Sequence, residues 1–75
     1  MDATMTETMT CVQEIGETAG KVWSYLNDHG TIRMADLVRG VDESRDMVQR
    51  AVGWLAREDK VCIEKIGIVE KIRLK

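Results

Sequence analysis

The 75-residue sequence has no proline and no phenylalanine, and it has only one histidine and two cysteines. His29, Cys11 and Cys62 do not form a zinc-binding pattern such as Cys-X-X-Cys, so we expect no metal site. We expect the two cysteines, which are far apart in sequence, to be ordinary buried or half-buried thiols. Motifs for a catalytic nucleophile, a phosphate-binding glycine loop or paired catalytic acids are also missing. We therefore expect neither an enzyme nor a bound cofactor.

Long apolar stretches are missing as well. No run approaches the roughly 20 apolar residues needed to cross a bilayer, and residues 1–7 have neither the basic region nor the hydrophobic region of a secretion signal. We expect a cytoplasmic protein that makes no contact with a membrane.

Charge is unevenly distributed along the chain, whose net charge is −2. Residues 1–59 carry six basic and eleven acidic side chains, whereas residues 60–75 carry five basic and two acidic ones. Strong nucleic-acid binders are usually basic overall, so this balance argues against extensive contact with nucleic acid. It is compatible with a local contact through the basic C-terminal segment.

The N-terminal part predicts a tail followed by a long helix. Residues 1–9 lack apolar periodicity and are predicted to be a disordered tail, which leaves residues 10–75 as a single domain. Thr10 and Gln13 have the spacing of a capping box at a helix start, and Gly30 is suited to a helix end. Between them, apolar residues recur at intervals of three and four, which predicts one buried helical face: Val12, Ile15, Ala19, Val22 and Leu26. Gly16 and Gly20 share one side of this helix, where they either admit a close backbone or are tolerated in solvent.

The remaining residues predict two further helices and a hairpin. A short β-prone pair, Thr31-Ile32, precedes a helix from about Met34 to Gly40. A longer helix follows over residues 45–58, with Ser44 as its favoured N-cap and Asp42 as the alternative. After Asp59 the apolar period changes to two, which predicts strands over residues 61–65 and 69–74 joined by a turn at Ile66-Gly67-Ile68.

This order of elements predicts an α+β winged helix-turn-helix fold: three helices, a short strand and a C-terminal β-hairpin wing. Two short helices that cross steeply need apolar residues at their contact points. Four apolar residues are spaced so that they can fill these contact points: Leu37 in the second helix and Val48, Val52 and Leu55 in the third.

Two segments carry a closer resemblance. Ala19-Gly20-Lys21-Val22-Trp23 in the first helix and Gly53-Trp54-Leu55-Ala56-Arg57-Glu58 at the end of the third resemble a family of short prokaryotic winged helix-turn-helix proteins of unassigned function. The resemblance runs from about Ile15 to the C-terminus. It implies the fold and a cytoplasmic protein, and it implies no established activity. The sequence departs from the family pattern at Arg33, where Ser or Thr usually caps the second helix, and at Asp42, where glycine is usual.

In the winged-helix geometry, the third helix enters the major groove of DNA and the wing contacts the flanking backbone. Residues predicted to contact double-stranded DNA are therefore basic or amide side chains of these two elements: Arg45, Gln49, Arg50, Lys65, Lys71 and Arg73. Asp42, Glu43 and Asp46, at the start of the same helix, oppose such binding because phosphates repel carboxylates.

The alternative function is a protein–protein interaction module without DNA binding, most simply a homodimer. Ile66 and Ile68 at the predicted hairpin turn, together with Trp54, are the candidate interface residues because exposed apolar groups mark interfaces. Tryptophans at helical spacing more commonly belong to the core, however, and we expect this of both Trp23 and Trp54.

Overall fold

A computed structural model of the protein describes residues 11–75, which form three helices and three strands. The predicted α+β winged helix-turn-helix architecture is confirmed. The predicted Thr10 cap and the tail over residues 1–9 lie outside the described residues. In chain order the elements are α1 (Cys11–His29), β1 (Ile32–Arg33), α2 (Met34–Gly40), α3 (Arg45–Arg57), β2 (Val61–Ile66) and β3 (Val69–Leu74).

The helix ends follow local sequence signals. Gly30 adopts a positive φ of 75°, and its N–H donates to the carbonyl of Leu26 at 2.8 Å, as predicted for the end of α1. At the start of α3, the Ser44 hydroxyl accepts a hydrogen bond from the Met47 N–H at 3.1 Å, which confirms Ser44 as the cap. Arg33 precedes α2 without making a side-chain cap, so α2 begins without the hydrogen bond that a Ser or Thr would supply.

The strands form one antiparallel sheet in the order β1-β3-β2. Ile66 pairs with Val69, so the hairpin turn contains only Gly67 and Ile68. The predicted turn, which included Ile66, is therefore wrong by one residue. Gly67 has a φ of 63°, and a two-residue turn with positive φ at its first position matches the twist of the flanking strands.

All three helices and the base of the hairpin contribute to the core. The predicted stripe of Leu37, Val48, Val52 and Leu55 is buried. Burial of each such side chain contributes about 1.5–3 kcal/mol relative to leaving it exposed. The other buried apolar residues that cluster with them are Ala19, Val22, Leu26, Val41, Ala51, Val61 and Ile72.

The prediction that both tryptophans belong to the core is wrong. Trp23 is 42% exposed and Trp54 is 46% exposed. Trp23 follows the buried Val22, and Trp54 precedes the buried Leu55. Each tryptophan therefore lies on the flank of its helix rather than at the centre of the buried face. Cys11 is exposed, contrary to expectation, whereas Cys62 is half-buried; both are free thiols.

Tyr25 is the aromatic residue that packs within the fold. Its ring stacks on His29 with centroids 3.9 Å apart, and His29 Nδ1 donates a hydrogen bond to the Tyr25 carbonyl at 2.8 Å. The same ring lies against Gly40, where a Cβ would overlap the phenol. Gly40 is therefore required for the close contact between α1 and the end of α2.

Candidate nucleic-acid interface

Two of the predicted DNA-contacting residues, Arg45 and Gln49, lie together on α3. They are exposed, and their separation of four residues places them on the same face of the helix. This face borders a groove of about 270 Å³ between α2, α3 and the tip of the hairpin. The other residues that line the groove are Arg33, Met34, Ala35, Val38, Ile68, Val69 and Glu70.

Arg50 lies elsewhere on α3. It is exposed, but five residues separate it from Arg45, which rotates it about 140° around the helix. Trp54 follows Arg50 by four residues, and Trp54 lines a different groove, next to α1. The structure therefore does not bring Arg50 together with Arg45 and Gln49.

The three predicted basic residues of the wing lie on opposite faces of the sheet. Ile72 is completely buried, so its neighbours Lys71 and Arg73 point to the other, outer face. Lys65 pairs with Glu70, whose side chain is on the same face as Ile72. Lys71 and Arg73 can therefore act together, whereas Lys65 is separated from them by the sheet.

Arg33 is a basic residue of this surface that sequence reasoning missed. It pairs directly with Lys71 across β1 and β3, and so shares the outer face with Lys71 and Arg73. Residues two apart on a strand are separated by roughly 6.6 Å, so the three side chains form a short basic row. The signal in the sequence was weak, because it required the pairing of the two-residue strand β1 to be known.

Acidic residues partly neutralise the positive charge of this basic row. Lys71 faces Glu64 across β2 and β3. Arg33 Nε donates to Asp36 at 3.1 Å, and Arg39 pairs with the same carboxylate. The hydrogen bond from Arg33 is the main cause that lowers the pKa of Asp36 below its usual value. The local surface is therefore only moderately basic.

The acids at the start of α3 do not all remain available to oppose DNA. Glu43 forms an ion pair with Lys21 of α1 at 2.5 Å, and this hydrogen bond raises the pKa of Lys21. Within residues 11–75, no such ion pair involves Asp42 or Asp46. Asp42 and Asp46 therefore remain available to oppose DNA at the start of α3, as does Glu70, which lines the groove beside Arg45.

The three candidate interface residues fall into two separate places. Ile66 and Ile68 lie at the hairpin tip, where they are 69% and 96% exposed. Trp54 lies beside Trp23 in a groove between α1 and α3. Sequence reasoning did not pair the two tryptophans, because it assigned both to the core.

Two further observations concern ligand classes. Among residues 11–75, no group of three or more His, Cys, Asp or Glu side chains is arranged to hold a metal ion. No helix in the same part of the chain is both long enough and apolar enough to cross a membrane.

Comparisons with known proteins agree with this architecture. The chain is 36% identical over 64 residues to the uncharacterized protein MJ1608 of Methanocaldococcus jannaschii, which covers 83% of this chain and 91% of that protein. The fold of the present chain is similar to that of protein BT2368 from Bacteroides thetaiotaomicron, which was solved by solution NMR. The TM-score is 0.78 and the identity is 40%, and the match covers 87% of this chain and 79% of BT2368. Residues 5–74 match the family described as "Winged helix-turn-helix domain (DUF2582)", and the chain belongs to this family.

Proposed function

We propose that this domain binds double-stranded DNA as a small, non-enzymatic transcriptional regulator in the cytoplasm. Winged helix-turn-helix domains place their third helix in the major groove and their wing on the adjacent backbone. The observation that carries the proposal is the position of Arg45 and Gln49, which share the exposed face of α3 that borders the hairpin.

The side chains divide into two roles. Arg45 and Gln49 have the donor geometry for bidentate contacts to guanine and adenine edges, respectively. Arg33, Lys71 and Arg73 share the outer face of the sheet, opposite the face that packs on α3, and would contact phosphates along the flank of the wing, which fixes the orientation on DNA without reading sequence.

Charge predicts weak, salt-sensitive binding. Phosphate contacts from Arg33, Lys71 and Arg73 would neutralise about three phosphates, which corresponds to a slope of roughly −2.7 for log K against log salt. A fluorescence-anisotropy titration with random duplex DNA at two salt concentrations measures this slope. We expect a non-specific Kd of about 10⁻⁴–10⁻⁶ M or weaker. Saturable binding without salt dependence would contradict a phosphate-dominated interface.

Matched arginine variants of α3 test the orientation. Arg45→Ala should weaken binding to duplex DNA, whereas Arg50→Ala should have little effect because Arg50 lies on the side of Trp54. Asp42→Asn combined with Asp46→Asn should tighten non-specific binding, since it removes repulsion near Arg45. If neutralising both acids leaves the affinity unchanged, α3 does not face the duplex.

The second candidate function is a protein-interaction module, with a homodimer as its simplest form. It is favoured by the exposure of large apolar residues on a small domain, among them Trp23, Trp54, Ile66 and Ile68. Light scattering over a wide range of protein concentration tests it. A mass that rises from monomer to dimer supports the module, and a constant monomer mass contradicts the homodimer.

A further inference from the structure

Both tryptophans of the sequence line a single surface groove between α1 and α3. The groove has a volume of about 460 Å³, and Trp23 and Trp54 remain 42% and 46% exposed within it. Large aromatic side chains dominate binding energy at interfaces when a partner removes them from water. The other residues that line the groove are Gly16, Ala19, Gly20, Ser24, Leu55 and Lys60.

A shallow notch lies next to these tryptophans. Gly16 and Gly20 are one helical turn apart on α1, and a Cβ built at either position would meet nothing within 4 Å. Val12, a further turn before Gly16, is 70% exposed. The surface therefore combines two half-exposed indoles with an adjacent strip of helix surface where Gly16 and Gly20 have no side chains, and a surface of this kind can be complementary to a copy of itself.

The two sides of the groove carry opposite charge. On α3, Arg50 precedes Trp54 by four residues and Arg57 follows it by three, so both basic side chains flank the indole. Lys60 lines the same side. On α1, the exposed Glu17 precedes Gly20 by three residues and so borders the notch. Glu58 also follows Trp54 by four residues, and Lys21 follows Glu17 by four but is paired with Glu43. The α3 edge is thus net basic and the α1 edge is net acidic.

We propose that this groove, defined by Trp23, Trp54, Gly16 and Gly20, is the surface on which a second copy of the chain docks. The inference rests on the homodimer of the second candidate function and specifies its interface. A two-fold axis parallel to α1 places the α1 edge of each copy over the α3 edge of its partner. Glu17 then faces the basic edge around Arg50 and Arg57 of the other copy, and each Trp54 enters the Gly16–Gly20 notch. An axis perpendicular to α1 would instead set acidic edge against acidic edge.

The experiment uses the intrinsic fluorescence of the two tryptophans, since both report on the proposed interface. Sedimentation velocity gives the mass of the full chain over a wide concentration range, and emission and acrylamide quenching are recorded on the same samples. We expect the mass to double as the emission shifts to the blue and quenching falls. A mass that doubles while the indoles remain fully quenchable would overturn the proposed surface.

Gly20→Arg and Gly53→Arg form a matched pair of variants. Both replace a helical glycine that has open space around it, so both should preserve or improve helix stability, which circular dichroism checks. Gly20→Arg fills the notch and sets a cation against the basic edge, and we expect dimerisation to weaken at least tenfold. Gly53→Arg lies on the outward face of α3 and should dimerise like the parent protein. Equal dimerisation by the two variants contradicts the proposal.

A charge exchange separates a self-contact from other forms of association. Glu17→Lys should weaken dimerisation, and adding Arg50→Glu and Arg57→Glu to the same chain should restore it in part. If Glu17→Lys weakens dimerisation and the two added changes do not restore it, the proposed pairing of the α1 edge with the partner's α3 edge is overturned.

If Gly20→Arg still dimerises but Ile66→Ser combined with Ile68→Ser does not, the homodimer stands and the hairpin tip is its interface. A chain that stays monomeric at every concentration overturns both the homodimer and the groove as its interface. The DNA titration remains an independent test of the first proposed function.

Discussion

The helical layer and the hairpin use their apolar residues in opposite ways. In the helices, side chains such as Leu26, Leu37 and Val48 are at most 1% exposed. In the hairpin, Val61 and Ile72 anchor the base, whereas Ile66 and Ile68 at the tip are 69% and 96% exposed. The distal hairpin is held by its turn and by cross-strand pairing rather than by a core. Stability therefore resides mainly in the helical layer, and the tip is free to serve a surface role.

The largest expected effect is in the helical layer. Leu55 is 4% exposed and belongs to the core cluster. Leu55→Ala removes buried methyl groups and leaves a cavity, so we expect the free energy of unfolding to fall by about 2–5 kcal/mol. Chemical denaturation measures this change. A loss below roughly 0.5 kcal/mol would mean that the helical layer is not the tightly packed half of the molecule.

A smaller loss is expected where α1 meets the end of α2. Gly40→Ala would place a methyl group inside the ring of Tyr25, and overpacking of this kind costs about 1–3 kcal/mol. The control is the same change in a Tyr25→Ala background, where the added methyl no longer meets the ring. The cost of Gly40→Ala should then disappear. An equal cost in both backgrounds would assign the effect to the backbone of Gly40 instead of to the aromatic contact.

The cap of α3 is expected to contribute less again. Ser44→Ala removes the hydroxyl that accepts from the Met47 N–H, and the loss of such a cap costs about 1 kcal/mol. Ser44→Asp supplies another acceptor and should retain most of the stability. Thermal unfolding of the parent and both variants measures the difference. If Ser44→Asp is as unstable as Ser44→Ala, the side-chain acceptor is not what stabilises the start of α3.

Most of the fold could be predicted from the sequence because its signals are local. The spacing of apolar residues defines the helices, Gly30 and Ser44 mark their ends, and the change of period after Asp59 marks the strands. The two tryptophans could not be placed in this way. Periodicity finds the centre of a buried face, but how far that face extends depends on which other element covers the flank. Trp23 and Trp54 lie on flanks that no described element covers completely.

Which basic side chains share the candidate site depends on the length of the hairpin turn, and a difference of one residue changes the answer. A turn over Ile66-Gly67-Ile68 would pair Lys65 with Val69 and place Lys65 on the face of Lys71 and Arg73. The actual turn of Gly67-Ile68 pairs Lys65 with Glu70 instead, because a one-residue change in register moves every side chain of a strand to the other face. Arg33 joins the surface only through the pairing of β1 with β3, which no local signal specifies.

The smallest expected effect on stability is at the hairpin tip, and it sharpens the contrast with Leu55. Ile68 is 96% exposed and occupies the second position of the turn, where Ser after Gly67 is well tolerated. Ile68→Ser should therefore change the free energy of unfolding by no more than about 0.5 kcal/mol, as is usual for surface positions. Chemical denaturation of this variant and of Leu55→Ala under the same conditions makes the comparison direct. A loss of more than about 1 kcal/mol would show that the tip is packed in solution, either in the fold or against another chain. Repeating the measurement at low and high protein concentration distinguishes the two, because only an intermolecular contact makes the loss depend on concentration.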